Sequence, residues 1–199
     1  MSVRIEPCSL EKLSDIHFVS QDFLSSKSFC CLFPMKYLEP ISQTRKNYTR
    51  TPDKLTVGGI AYETSTNAPL GVIQCACHGH YSELHTVKPG ECYVDWLAVL
   101  PAARGKGVGT KLLQWAEERA RERKCDRMTL GVINGNPAKR LYERFGFVTR
   151  YDGVVEAVCG VVFTLVCFGR PYGCLHGSCG SSMMEKKLDS VEIEAMERE

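Results

Sequence analysis

The sequence predicts one mixed α/β domain, and three observations carry that expectation. The run Cys92 to Leu100 is almost continuously apolar, as a central strand covered on both faces must be. It leads straight into a glycine-rich turn and then into leucines and alanines at helical spacing, the strand, turn and helix order of an α/β layer. Upstream, two β-prone runs flank Asn67-Ala68-Pro69, which has the turn chemistry of a hairpin. A length of 199 residues suits one domain with a short tail, and 44% hydrophobic against 24% charged residues is an ordinary globular balance.

Along the chain, Ser2 to Glu6 alternates as a first strand. Ser9 and Asp15 open a helical stretch whose inner face is Leu13, Ile16, Val19 and Phe23. Residues 30–50 mix aromatics with Pro34 and Pro40 and end in a basic run with Arg45, Lys46 and Arg50, read as a loop plus a short helix. Leu55 to Thr64 and Leu70 to His80 are the hairpin strands. After the central strand, a helix from Val108 to about Lys124 puts Leu112, Leu113, Ala116 and Ala120 inward and pairs Glu117 with Arg121 outside. Met128, Leu130 and Val132 alternate as a strand. Asn136-Pro137 caps a new helix with Ala138, Leu141, Tyr142 and Phe145 on its face, closed by Gly146. Phe147 to Arg150 begins another strand, Ser182 to Leu188 is the last, and residues 189–199 form an acidic tail.

The stretch ARGKGVGTKL, residues 102–111, raises the functional question. A glycine-rich turn opening a helix offers free backbone N–H groups at the positive end of the helix dipole, so its default guest is a phosphate. A P-loop fails on order, because Thr110 and Lys111 follow Gly109 the wrong way round. A dinucleotide fingerprint fails because Thr110 stands where the third glycine belongs. What fits is Arg-x-x-Gly-x-Gly at Arg104, Gly107 and Gly109, between Leu97-Ala98-Val99 with Pro101 before it and Leu141-Tyr142-Glu143-Arg144-Phe145-Gly146-Phe147 after it.

With those flanks the chain resembles the GNAT superfamily of N-acetyltransferases, most firmly from Tyr93 to Phe147. The resemblance implies a central mixed, mostly antiparallel sheet flanked by helices, with acetyl-CoA as cosubstrate and no metal. Its domain would span residues 1–188, with a cofactor-binding part at 91–147 and an insertion at 151–181 before the last strand. The backbone N–H groups of Arg104, Gly105, Lys106, Gly107, Val108, Gly109 and Thr110 would wrap the pyrophosphate, the glycines allowing close approach. The backbone of Leu97 and Val99 would pair with the pantetheine arm where the strand splays from its neighbour, and the Val99 N–H would face the thioester oxygen. Tyr142 matches the tyrosine that protonates the departing thiolate, and its plain reading is a core tyrosine. Asn136 either touches the cofactor or only caps its helix.

A protonated amine must lose a proton before it attacks the thioester. Strand parity places Glu91, Tyr93, Asp95 and Leu97 on one side, so Asp95 or Glu91 is the candidate base, directly or through water. The same parity turns Cys92 away from the acetyl group, against a covalent acyl-cysteine. Cys75, Cys77, His78 and His80, and separately Cys174, His176 and Cys179, are clusters without zinc-site spacing.

A net charge of +2 provides no overall basic field, so nucleic acid is not expected as the main partner. MSVRIEPCSLEKL lacks a secretory pattern, and an odd eleven cysteines suit reduced thiols, so the expected compartment is cytoplasmic, with the nucleus as its variant. Gly153 to Gly169 is apolar with one Glu156 and reads as a long buried strand broken at Gly160, or two strands. A membrane-surface or homodimer contact is its other reading. The functional expectation is acetyl transfer from acetyl-CoA to a primary amine of a small molecule, protein N-terminus or lysine, in a ternary complex. A non-catalytic acyl-CoA-binding module and a scaffold using residues 153–169 are the rivals.

Overall fold

A computed structural model describes residues 2–25, 40–50, 52–82, 85–133, 136–150 and 181–188. The strands are β1 (Val3–Pro7), β2 (Gly59–Glu63), β3 (Pro69–Cys77), β4 (Glu91–Val99), β5 (Arg127–Ile133), β6 (Val148–Arg150) and β7 (Ser181–Lys187). The helices are α1 (Leu13–Ser25), α2 (Ile41–Arg50), α3 (Lys54–Val57), α4 (Val108–Glu122) and α5 (Lys139–Arg144). The strands form one sheet in the order β1-β2-β3-β4-β5-β7-β6. Every neighbouring pair is antiparallel except β4 with β5, whose parallel connection runs through α4, the helix that such a crossover needs.

Helices cover both faces of the sheet. On one face, Leu112, Leu113 and Ala116 of α4 are fully buried against Ile73, Met128 and Met184. On the other, Ile16 and Val19 of α1 pack with Ile60, Val72 and Ala98. Truncating a leucine such as Leu112 to alanine costs about 2–5 kcal/mol at a site so enclosed. The hairpin turn between β2 and β3 holds Asn67 at φ 59°, a left-handed geometry asparagine tolerates, with its N–H donating to the Glu63 carbonyl.

The predicted elements are present, with one internal difference. The first part of the expected strand at Leu55 is α3 instead. The Thr56 N–H and its hydroxyl both bond the Asp53 carbonyl, closing a helical turn that buries Leu55 and Val57 together. An apolar pair two residues apart reads as strand in sequence, and local polar bonds override that reading here. β7 pairs with both β5 and β6, so the two ends of the 151–180 segment meet on one sheet. That segment, including the expected long apolar strand and the second cysteine and histidine cluster, lies outside the described residues. The acidic tail at 189–199 and residues 30–39 do as well. Among the described residues no helix is long and apolar enough to cross a membrane.

Candidate functional site

The site begins where two central strands part. β4 and β5 pair from Glu91 with Arg127 to Val94 with Leu130 and no further, while β4 stays paired with β3 as far as Val99. The cause lies in the β3–β4 register. Cys75 opposes Val94 and Gln74 opposes Trp96, so Asp95 is an extra residue, a bulge that bends and twists the strand away from β5. The Leu100 N–H donates to the Leu70 carbonyl of the β3 side at 2.9 Å. Alternation then turns the amides of Leu97 and Val99 away from β3 and into the fork. The Val99 carbonyl on that side accepts the Arg104 Nε–H at 2.9 Å.

Beyond the fork, Pro101 to Ala103 form one tight helical turn, and the glycine-rich turn follows. Gly105 and Gly107 have φ of 72° and 80°, and a Cβ on either would stand in open space. Glycine is therefore needed there for backbone conformation. Gly109 differs, because its Cβ would lie 2.9 Å from Leu141 Cδ2 of α5. In this chain the smallness of Gly109 also lets α4 and α5 meet across the mouth of the fork. The first intrahelical bond of α4 runs from the Lys111 N–H to the Gly107 carbonyl, so the amides of Val108, Gly109 and Thr110 have no partner within the helix. Fifteen aligned residues put the positive end of the α4 dipole at these amides, with Arg104 and Lys106 just before them.

α5 stands at the open end of the fork. Its start is fixed by Asn136, whose Oδ1 accepts the Ala138 N–H at 3.0 Å and whose carbonyl accepts the Lys139 N–H. These bonds make the helix-opening turn expected at Asn136. Tyr142 is buried in the α4-side core, edge-on to Phe147 at 6.1 Å between ring centres. Burial pushes its phenol up to about 12, so it holds its proton throughout the neutral range.

The bulge also overturns the parity expected along β4. Cys92 and Val94 pack on the α4 side, and so do Leu97 and Val99, because the extra residue shifts the alternation by one. Tyr93 lies on the other face, and beyond the bulge that face is continued by Trp96, Ala98 and Leu100. Cys92 is thus on the Leu97 side, contrary to the sequence reading. It is nonetheless fully buried, and the Cys75 thiol beside it together with burial pushes its own thiol well up, leaving no thiolate to acylate.

The two candidate carboxylates are both engaged. Asp95 pairs with Lys54 Nζ and accepts the Ser82 hydroxyl at 2.5 Å, with only 9% of its side chain exposed. Glu91 is 3% exposed and accepts the Lys88 amide at 2.7 Å, the Thr129 hydroxyl and His85 Nε2 at 2.9 Å. Burial pushes its carboxyl up, but the Lys88, Thr129 and His85 bonds outweigh that and hold it below the ordinary carboxylate range.

Sequence reasoning passed over His85. It sits in the polar loop before β4, where no spacing rule ties a histidine to a glutamate six residues on. Its ring stacks on Tyr93 with centres 4.5 Å apart. Together with Arg50, His80, Tyr81 and Ser82 it lines a groove of about 540 Å³. The Arg50 guanidinium lies 3.8 Å from the Tyr81 ring centre. Among the described residues no group of three or more metal-ligating side chains converges.

Comparison with known proteins gives this arrangement its context. The profile described as the Acetyltransferase (GNAT) family matches residues 22–147. An acetyltransferase of Agrobacterium fabrum is 46% identical over 63 residues, which is 32% of this chain and 44% of that protein; the chain therefore matches under half the length of this curated relative. The PaiA N-acetyltransferase of Thermoplasma acidophilum, solved with coenzyme A, superposes with a TM-score of 0.60 at 19% identity, covering 94% of this chain and 100% of its own. The yncA protein of Salmonella typhimurium, solved with acetyl-CoA, gives a TM-score of 0.65 at 17% identity, covering 96% of each chain. Both structures share the fold described above. With a forked central sheet, an Arg-x-x-Gly-x-Gly turn at the fork's mouth and a family match over well over half its length, the chain belongs to the acetyltransferase (GNAT) family.

Proposed function

We propose that the chain transfers the acetyl group of acetyl-CoA to a primary amine by direct attack in a ternary complex. The observation that carries this reading is the fork, whose free edge at Leu97 and Val99 leads directly to the unpaired amides opening α4. A pantetheine arm is an extended amide chain and would pair with that edge as a strand would, taking over the Val99 carbonyl from Arg104. The pyrophosphate would then meet the amides of Val108, Gly109 and Thr110 at the positive end of α4, with Arg104 and Lys106 adding charge.

In this reading the Val99 N–H donates to the thioester oxygen as charge develops there. The neutral amine attacks the carbonyl carbon, the C–N bond forms, and the C–S bond breaks. Tyr142, protonated at neutral pH, supplies a proton to the leaving sulfur and regains one from the amine nitrogen. The acceptor approaches from the Tyr93 and Trp96 face, and its class is one of small amine, protein N-terminus or lysine.

The test is mass-detected acetyl transfer to spermidine and to a peptide with a free α-amine and a lysine, comparing wild type with Tyr142→Phe. Mass detection avoids the protein's own eleven cysteines, which would react in a thiol assay. The expected result is transfer to at least one acceptor, with kcat lowered about 10-fold or more in the variant and acetyl-CoA affinity nearly unchanged. Acetyl-CoA binding without transfer to any acceptor would favour the non-catalytic binding module.

A further inference from the structure

We propose that His85 is the general base for the acceptor amine, with Glu91 as the positioning residue behind it. This rests on the acetyl-transfer reading above and names a proton acceptor that the sequence did not supply. Four observations support it. First, His85 borders the groove on the acceptor side of the sheet, so its ring is reachable where Glu91, at 3% exposed, is not. Second, two lining residues of the groove contact β4 on either side of Val94, its last residue paired with β5. Ser82 of its lining bonds Asp95, and His85 stacks on Tyr93. Third, the Tyr93 hydroxyl lies beside Gly131, the first β5 residue past the fork, 3.4 Å from where a Cβ on that glycine would stand. The Tyr93 ring therefore lies between the imidazole and the opening, so a proton passing between them would travel by way of water along the groove. Fourth, Glu91 is anchored by the Lys88 amide and the Thr129 hydroxyl, so its bond to Nε2 fixes the ring.

The chemistry follows from that bond. An anionic Glu91 accepts a proton-bearing Nε2, which leaves the lone pair on Nδ1. Nδ1 takes one proton from the acceptor ammonium through water, giving a neutral amine and an imidazolium whose charge faces Glu91. The amine then attacks as described, and the imidazolium returns its proton to solvent after product leaves. Neither original carboxylate does this as well. Asp95 is neutralised by Lys54, and every Glu91 contact is already made.

Among the described residues, the other ionisable groups near His85 lie in the groove, on the strand beneath it and in the Lys54–Asp95 pair that Tyr81 and Ser82 contact. Tyr93 lies beneath it, and Arg50, His80 and Tyr81 share the groove. Lys88 contributes only its amide, and Glu185 of β7, opposite Thr129, is paired with Arg150 at 2.6 Å.

The experiment measures kcat/KM against pH for the full chain, with spermidine and the two-amine peptide as acceptors, in wild type, His85→Gln and Glu91→Gln. His85→Gln should lower kcat/KM by about 30-fold or more near neutral pH. That deficit should shrink as pH rises toward the amine's own pKa, where no base is needed, while acetyl-CoA affinity stays unchanged by calorimetry. Glu91→Gln removes the anion that stabilises the imidazolium, so the acid limb of its profile should move to lower pH. That readout holds even if His85→Gln fails to fold, and a merely structural Glu91 would not move it. A His85→Gln profile parallel to wild type, or an acid limb unmoved in Glu91→Gln, overturns the base assignment alone. A wild type that binds acetyl-CoA but acetylates neither acceptor overturns the transfer reading and the base with it.

Discussion

The two halves of the β4–β5 seam have opposite characters. From Glu91 to Val94 the strands are paired, and the polar side chains at that end are saturated with partners: Glu91 with three donors, Thr129 with Glu91, Arg127 with Asp126 and the Pro89 carbonyl. From Asp95 to Val99 the seam is open, and the polar groups turned into it belong to the backbone. The first half satisfies its own polar groups, and the second leaves backbone groups open, which is why the proposed function gives it to an extended ligand. Both Glu91 and Asp95 are held by several partners at the edge of the opening.

The largest expected effect breaks the closed half at its boundary. Lys54→Met would leave the Asp95 carboxylate buried and unpaired at the bulge, at a cost of about 3 kcal/mol. Urea denaturation should show the midpoint falling, and adding Asp95→Asn should recover part of the loss. A double variant no more stable than Lys54→Met would deny the coupling.

A smaller effect probes the open half alone. Arg104→Glu with Lys106→Glu places two carboxylates beside the α4 amides and should weaken acetyl-CoA binding about 10-fold or more by calorimetry, with the melting temperature nearly unchanged. Gly107 is left intact in this variant because its φ of 80° would confuse strain with charge. Equal affinity in both proteins would put the phosphates elsewhere.

The smallest effect is a pH dependence in the closed half. The Glu91 carboxyl is held below its ordinary range in the folded protein, so it binds protons less readily than in the unfolded chain. Its stabilisation is complete above the unfolded carboxylate range and is lost as pH falls through the lower, folded one. The melting-temperature gap between wild type and Glu91→Gln should therefore be widest near neutral pH and narrow on acidification. A gap constant with pH would mean that Glu91 acts without its charge.

Most of the fold was legible because its elements announce themselves locally. The apolar run at 92–100, the leucine and alanine face of α4 and the Asn136-Pro137 cap are each readable within a dozen residues, and each is found where expected. The glycine-rich turn was legible for the same reason, since left-handed Gly105 and Gly107 need no long-range partner. What escaped the sequence was register. A single extra residue at Asp95 shifts the alternation along β4, and nothing in CYVDWLAV marks the bulge, because it arises from pairing with Gln74 and Cys75. Leu97 consequently moved to the Cys92 side, and the other face beyond the bulge belongs to Trp96. His85 was hidden likewise, its value depending on a carboxylate and an aromatic ring that only the folded loop brings to it. The packing role of Gly109 was hidden too, because Leu141 comes from a helix far along the chain.

The central claim is that the open half of the seam receives the extended arm of acetyl-CoA, and residue-resolved hydrogen exchange by NMR tests it most directly. On adding acetyl-CoA, exchange at the Leu97 and Val99 amides should slow, while the Leu100 amide, already bonded to the Leu70 carbonyl, should keep its rate. Saturating acetyl-CoA that leaves Leu97 and Val99 exchanging as before would contradict the account, since the arm would then lie somewhere other than the fork.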